Sequence, residues 1–75
     1  MYLKRIRDLR EDNDLLQKEV AAILNITRQQ YNLYENGIRE FKLEHIKKLA
    51  IYYNVSTDYL FELTNQKRAV VKLSN

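Results

Sequence analysis

A 75-residue chain with no proline and a single glycine, Gly37, has little with which to turn a β-hairpin and every opportunity to be helical. A Gly-rich phosphate loop, of the dinucleotide or the NTP type, needs several glycines in one stretch and is excluded. The chain also lacks cysteine, which removes disulfides and thiolate metal sites, and its one histidine, His45, cannot build a multi-histidine centre. No metal and no cofactor is expected. The length allows one domain, and a hydrophobic content of 45% is that of a globular chain. No apolar run approaches the ~18 residues that span a membrane, and Met1-Tyr2-Leu3-Lys4-Arg5 lacks the apolar stretch of a leader. The expectation is an all-α, cytoplasmic protein without membrane contact. A net charge of +3 and a pI near 9.3 suit a polyanionic partner but also serve solubility.

Apolar periodicity places five helices. Leu3, Ile6 and Leu9 recur at helical spacing, predicting a helix over 2–12 that breaks at Asn13 and Asp14. Val20, Ala21 and Leu24 line a second over 17–24, closed at Asn25, a residue that accepts the left-handed conformation. Thr27 followed by Gln30 is a capping box and starts a third helix, which runs to Asn36 with Gly37 as its closing residue. Its apolar side is Tyr31 and Tyr34, continued by Ile38. Leu43, Ile46, Leu49, Ala50 and Tyr53 give a fourth over 43–53, closed at Asn54. Ser56 caps a short fifth helix anchored by Leu60, Phe61 and Leu63. Residues 1–63 form the domain, and 64–75 a short C-terminal tail, extended or disordered, with Ala69-Val70-Val71-Lys72-Leu73 suited to a strand.

Two short helices joined by the tight turn Leu24-Asn25-Ile26-Thr27, with the small Ala21 where a partner helix approaches, have the layout of a helix-turn-helix. Gln17-Lys18-Glu19-Val20-Ala21, Ile26-Thr27-Arg28 and Tyr34-Glu35-Asn36-Gly37 together resemble the Cro/Xre-type helix-turn-helix family, the lambda-repressor-like DNA-binding domains. Arg10, seven residues before Gln17, and Leu49-Ala50…Asn54-Val55-Ser56…Leu60 extend the resemblance over about residues 3–63. Asn25 and Asn54 stand where the family has turn glycines, Leu16 where Ser or Thr caps the second helix, Phe41 where Pro is common and Ile38 where a basic residue is common. The second helix is therefore expected to fray at its start or to be capped by Asp14.

On the third helix, a rotation of about 100° per residue sets Gln29, Asn32, Leu33 and Asn36 opposite the apolar side, with Arg28 at the flank of the first turn. The first residues of a recognition helix reach base edges. Arg28 matches guanine O6 and N7, Gln29 matches adenine N6 and N7, Asn32 reaches a base or phosphate, and Leu33 offers apolar contact to a thymine methyl. Without the motif the same residues would read as an ordinary solvated face. The resemblance implies phosphate contacts from Gln17, Asn36, Arg39 and Lys42, and pairs Arg10 with Glu35 as a structural salt bridge between the first and third helices. Both charges lie on apolar sides, where an unpaired charge is costly. His45 is expected at the surface or partly packed, and no catalytic set can be assembled around it. The resemblance thus implies a sequence-specific regulator of transcription, a repressor on a pseudo-palindromic double-stranded DNA operator, and not an enzyme. One recognition helix covers too few base pairs to single out a genomic site, so a homodimer is expected, with Tyr59, Leu63, Val70, Val71 and Leu73 as its interface. The alternatives are an antitoxin, with a toxin or an anti-repressor protein as partner, and a protein-interaction module that keeps the fold.

Overall fold

The computed structural model describes residues 1–68. Five helices follow in order, α1 (Lys4–Asp12), α2 (Gln17–Ile23), α3 (Arg28–Glu35), α4 (Leu43–Tyr53) and α5 (Thr57–Leu60), with no strand among the described residues. The all-α, five-helix architecture read from periodicity is the one observed.

The chain stops every helix in the same way. The residues just past the five helix ends, Asp14, Asn25, Gly37, Asn54 and Glu62, have φ of +55°, +57°, +74°, +56° and +61°. In each case the N–H of that residue and of the next one turn back onto carbonyls of the last helical turn, as in Asn25 to Ala22 and Ile26 to Ala21, or Gly37 to Tyr34 and Ile38 to Leu33. These bonds satisfy carbonyls that a helix end otherwise leaves without partners. Only Gly37 adopts this conformation without a side-chain penalty. A Cβ there would also stand 3.1 Å from the Cα and Cβ of Tyr2, so the Tyr2 backbone would have to give way by a few tenths of an ångström.

The starts are more varied. Thr27 Oγ1 accepts from Gln30 N (3.1 Å) and Gln30 Oε1 accepts from Thr27 N (3.0 Å), the full capping box. Ser56 Oγ accepts from Tyr59 N at 3.0 Å. Leu16 has no side-chain acceptor, and α2 is held instead by Glu19 Oε1 accepting from Leu16 N at 2.9 Å. Asp14 does not cap α2, contrary to expectation, because its left-handed backbone is engaged in closing α1.

Leu3, Ile6 and Leu9 of the α1 segment meet Val20, Ala21 and Leu24 of α2, Tyr31 of α3, Ile46, Leu49 and Ala50 of α4 and Leu60 of α5 in one buried core. Three residues assigned to apolar faces lie outside it: Ile38 is 70% exposed, Leu43 61% and Leu63 75%. Ile38 and Leu63 follow the left-handed residues Gly37 and Glu62, so the helical periodicity that assigned them has already ended. Leu43 is the first residue of α4 and precedes the turn that meets the core. Phe41, in the place of a common proline, pins the α3–α4 loop by stacking on Tyr34 (5.2 Å) and standing edge-on to Tyr31 (6.1 Å between ring centroids).

Beyond residue 63 the described chain keeps contact with the helices. Arg5 donates to the carbonyls of Tyr59 and Thr64 and to Asn65 Oδ1, and Lys67 O accepts from Ser56 N at 2.6 Å. Residues 64–67 are thus tied to α1 and to the start of α5. Val70, Val71 and Leu73 lie outside the described residues. No helix among the described residues is long and apolar enough to cross a membrane.

Candidate nucleic-acid interface

The core contacts of α2 and α3 leave the opposite side of α3 facing solvent, and the residues expected to read bases all lie there. Arg28, Gln29, Asn32 and Leu33 line one shallow depression. Arg28 also borders a second, lined by Gln17, Lys18, Leu16 and Arg10 at the start of α2. Lys18 has the position and charge of a phosphate contact and was not singled out from sequence; its place beside Gln17 at an exposed helix start was the available signal. Asn36, Arg39 and Lys42 are exposed at and beyond the other end of α3.

Part of the surface charge is paired within the chain. On the N-terminal side, Lys4 pairs with Asp8 (3.4 Å), Arg7 with Glu11 (3.3 Å) and the α-amino group of Met1 with Glu40 (3.3 Å). Lys18, Arg28, Arg39 and Lys42 have no carboxylate within ion-pair distance among the described residues, and neither have Arg5, Lys47, Lys48, Lys67 and Arg68 elsewhere on the surface.

Beneath this face lies a buried carboxylate. Glu35 is 2% exposed. Arg10 grips it with two N–H donors, Nε to Oε2 at 2.7 Å and Nη2 to Oε1 at 3.0 Å, and uses Nη1 to reach Leu15 O at 2.8 Å. Tyr31 donates its hydroxyl to Oε2 at 2.5 Å, and Gln17 Nε2 donates to Oε1 at 3.1 Å. Burial pushes the carboxyl pKa up, but the donors from Arg10, Tyr31 and Gln17 outweigh it and hold the group below its ordinary value. Burial raises the Tyr31 phenol pKa, and the Glu35 carboxylate adds to it. Arg10 is raised by its bond to Glu35. Gln17, expected only as a phosphate contact, also ties this cluster to the reading face, because its Oε1 accepts from Asn32 Nδ2 at 3.1 Å.

One other assignment changes. His45 is 5% exposed, tilted against Tyr34 with ring centroids 5.5 Å apart, so it is a core residue rather than a surface one, and burial lowers its pKa. It lies three residues after the α4 cap, Lys42, on the side turned to Tyr34 of α3. Tyr59, expected at a dimer interface, is half-buried, with the Arg5 guanidinium over its ring at 4.2 Å from the centroid. Leu63, the other interface candidate among the described residues, is 75% exposed.

Comparison with known proteins agrees with this geometry. The helix-turn-helix family matches residues 6–60. The cryptic phage CTXphi transcriptional repressor RstR of Vibrio cholerae is 44% identical over 55 residues, 73% of this chain and 50% of that protein. The HTH-type transcriptional regulator ImmR of Bacillus subtilis (strain 168) is 40% identical over 57 residues, 76% of this chain and 45% of that protein. Antitoxin PezA of Streptococcus pneumoniae is 40% identical over 56 residues, 75% of this chain and 35% of that protein. The chain therefore spans half or less of the length of these relatives. Its match begins within α1 and ends at the last residue of α5, so the shared region is the five-helix unit with its two central helices, and the chain belongs to the helix-turn-helix family, in its Cro/Xre-type, lambda-repressor-like branch.

Proposed function

We propose that the chain is a sequence-specific double-stranded DNA-binding regulator of transcription that acts as a repressor by occupying its operator, in the cytoplasm and without enzymatic activity. The outward face of α3 carries this reading: three hydrogen-bonding side chains and one apolar one share a depression, with unpaired cations on both flanks. Phosphate contacts hold the protein on the duplex, and the α3 side chains read the bases. Selection of bound duplexes from a random pool is expected to return a defined sequence. Arg39→Ala and Lys42→Ala should each weaken binding to every duplex alike and flatten the slope of log affinity against log salt by about one unit. Unchanged affinity in both variants would move the DNA away from the α3–α4 loop.

We further propose a homodimer on a pseudo-palindromic operator, with half-sites about 34 Å apart. Leu63 supports it, as a large apolar side chain 75% exposed beside α5. Sedimentation at micromolar concentration should show a dimer for the full chain. Leu63→Asp and a chain ending at Arg68 should each shift toward monomer; a monomeric full chain would overturn this interface. The similarity to a protein named antitoxin favours one second reading, in which the same DNA-binding domain answers to a toxin or anti-repressor protein.

A further inference from the structure

A line of hydrogen bonds runs from the buried Glu35 carboxylate to the solvent face of α3, and we propose that it fixes which atoms Asn32 offers to a base, with Gln17 as the positioning residue and adenine as the base selected. The proposal rests on the DNA-reading role above. Glu35 is held ionised by Arg10, and an ionised carboxylate only accepts hydrogen bonds. Gln17 must therefore turn its NH2 group toward Glu35, as it does at 3.1 Å; the flipped amide would set oxygen against oxygen. That choice leaves Gln17 Oε1 facing α3, where it accepts from Asn32 Nδ2 at 3.1 Å. The buried charge thus dictates the orientation of one amide, and that amide dictates the next.

Asn32 keeps its Oδ1 and one N–H for a ligand. This is one acceptor beside one donor, the complement of adenine N6–H and N7 in the major groove. Guanine offers two acceptors, N7 and O6, and would need both N–H groups of Asn32. Gln17 already occupies one of them, so guanine is disfavoured. Without Gln17 the Asn32 amide is free to turn and to give both its N–H groups to guanine.

The test uses the full chain and duplexes recovered from a randomised pool. Asn32→Ala identifies the position that Asn32 reads. There the wild type should prefer adenine over guanine by about fivefold or more, and Gln17→Leu should bring that ratio close to one. Affinity for all duplexes should drop together, while base ratios at the other positions stay as they were. A readout on the free protein is independent of DNA: the two Asn32 side-chain amide protons should exchange at different rates, and Gln17→Leu should equalise them. Glu35 keeps its bonds from Arg10 and Tyr31 in this variant, so the fold is expected to survive. An adenine preference that Gln17→Leu leaves intact, or Asn32 amide protons already equal in the wild type, would overturn the relay while leaving DNA reading in place. A wild type that selects no sequence would remove both.

Discussion

Replacing Glu35 with alanine is expected to cost about 3–5 kcal/mol of folding stability, the loss seen when one member of a buried pair is deleted. The change removes the acceptor for four donors at once: two from Arg10, the Tyr31 hydroxyl and the Gln17 amide. Arg10 keeps only the Leu15 carbonyl, and Tyr31, fully buried, is left with an unsatisfied hydroxyl. A domain of this size has a total stability of about 5–10 kcal/mol, so the variant should be close to unfolding. Urea unfolding followed by circular dichroism measures the difference. Replacing the cluster as a unit, with Arg10→Met, Tyr31→Phe and Glu35→Leu, should recover part of the loss, because no charged or polar group is then left alone. A melting temperature unmoved by Glu35→Ala would show that the pair contributes nothing.

The same cluster gives a pH dependence of definite sign. The Glu35 pKa is lower in the folded chain than its ordinary value of 4.5. Its contribution is therefore fully present above that value and is lost as the pH falls below it and through the folded pKa. The stability gap between wild type and Glu35→Ala should be constant near neutral pH and should narrow in acid.

The residues that sequence reading placed well are those whose local chemistry has one solution. Thr27 with Gln30 can hardly be anything but a capping box, and Asn25, Gly37 and Asn54 are the residue types that tolerate a left-handed backbone. Asp14, where the first helix was expected to break, adopts the same conformation, and so does Glu62, which was not identified because its residue type carries no local signal for it. Ile38, Leu43 and Leu63 were misassigned for a related reason: periodicity gives the phase of a helix but not the residue at which the phase stops counting. His45 was expected at the surface or partly packed and is buried, because it packs on Tyr34 of another helix, a tertiary contact with no local signature. At the candidate site, the outward set of α3 followed from rotation about one axis. The bond from Gln17 to Asn32 joins two helices, and the position of Gln17 alone does not contain it.

Arg28→Ala is expected to cost about 1–3 kcal/mol of discrimination at one operator position, with no accompanying loss of fold. Arg28 is the first residue of α3, exposed, and makes no hydrogen bond or ion pair among the described residues. A cation at a helix N-terminus faces the positive end of the helix dipole, an arrangement that costs about 0.3–1 kcal/mol. The first turn of α3 holds no acidic residue to offset it. The free chain therefore gains nothing from arginine here, whereas a duplex gains a guanidinium aimed from the first turn into the major groove, where it matches guanine O6 and N7. Removing it should move two measurements in opposite directions. Thermal stability of the free protein should stay level or rise slightly, while preference for guanine at one position disappears. Gln29→Ala should relax a neighbouring position without the gain in stability, since it carries no charge. This pattern separates a reading residue from a structural one, because structural damage lowers stability and binding together. If Arg28→Ala retained full discrimination between selected and scrambled duplexes, α3 would not be the element that reads the DNA.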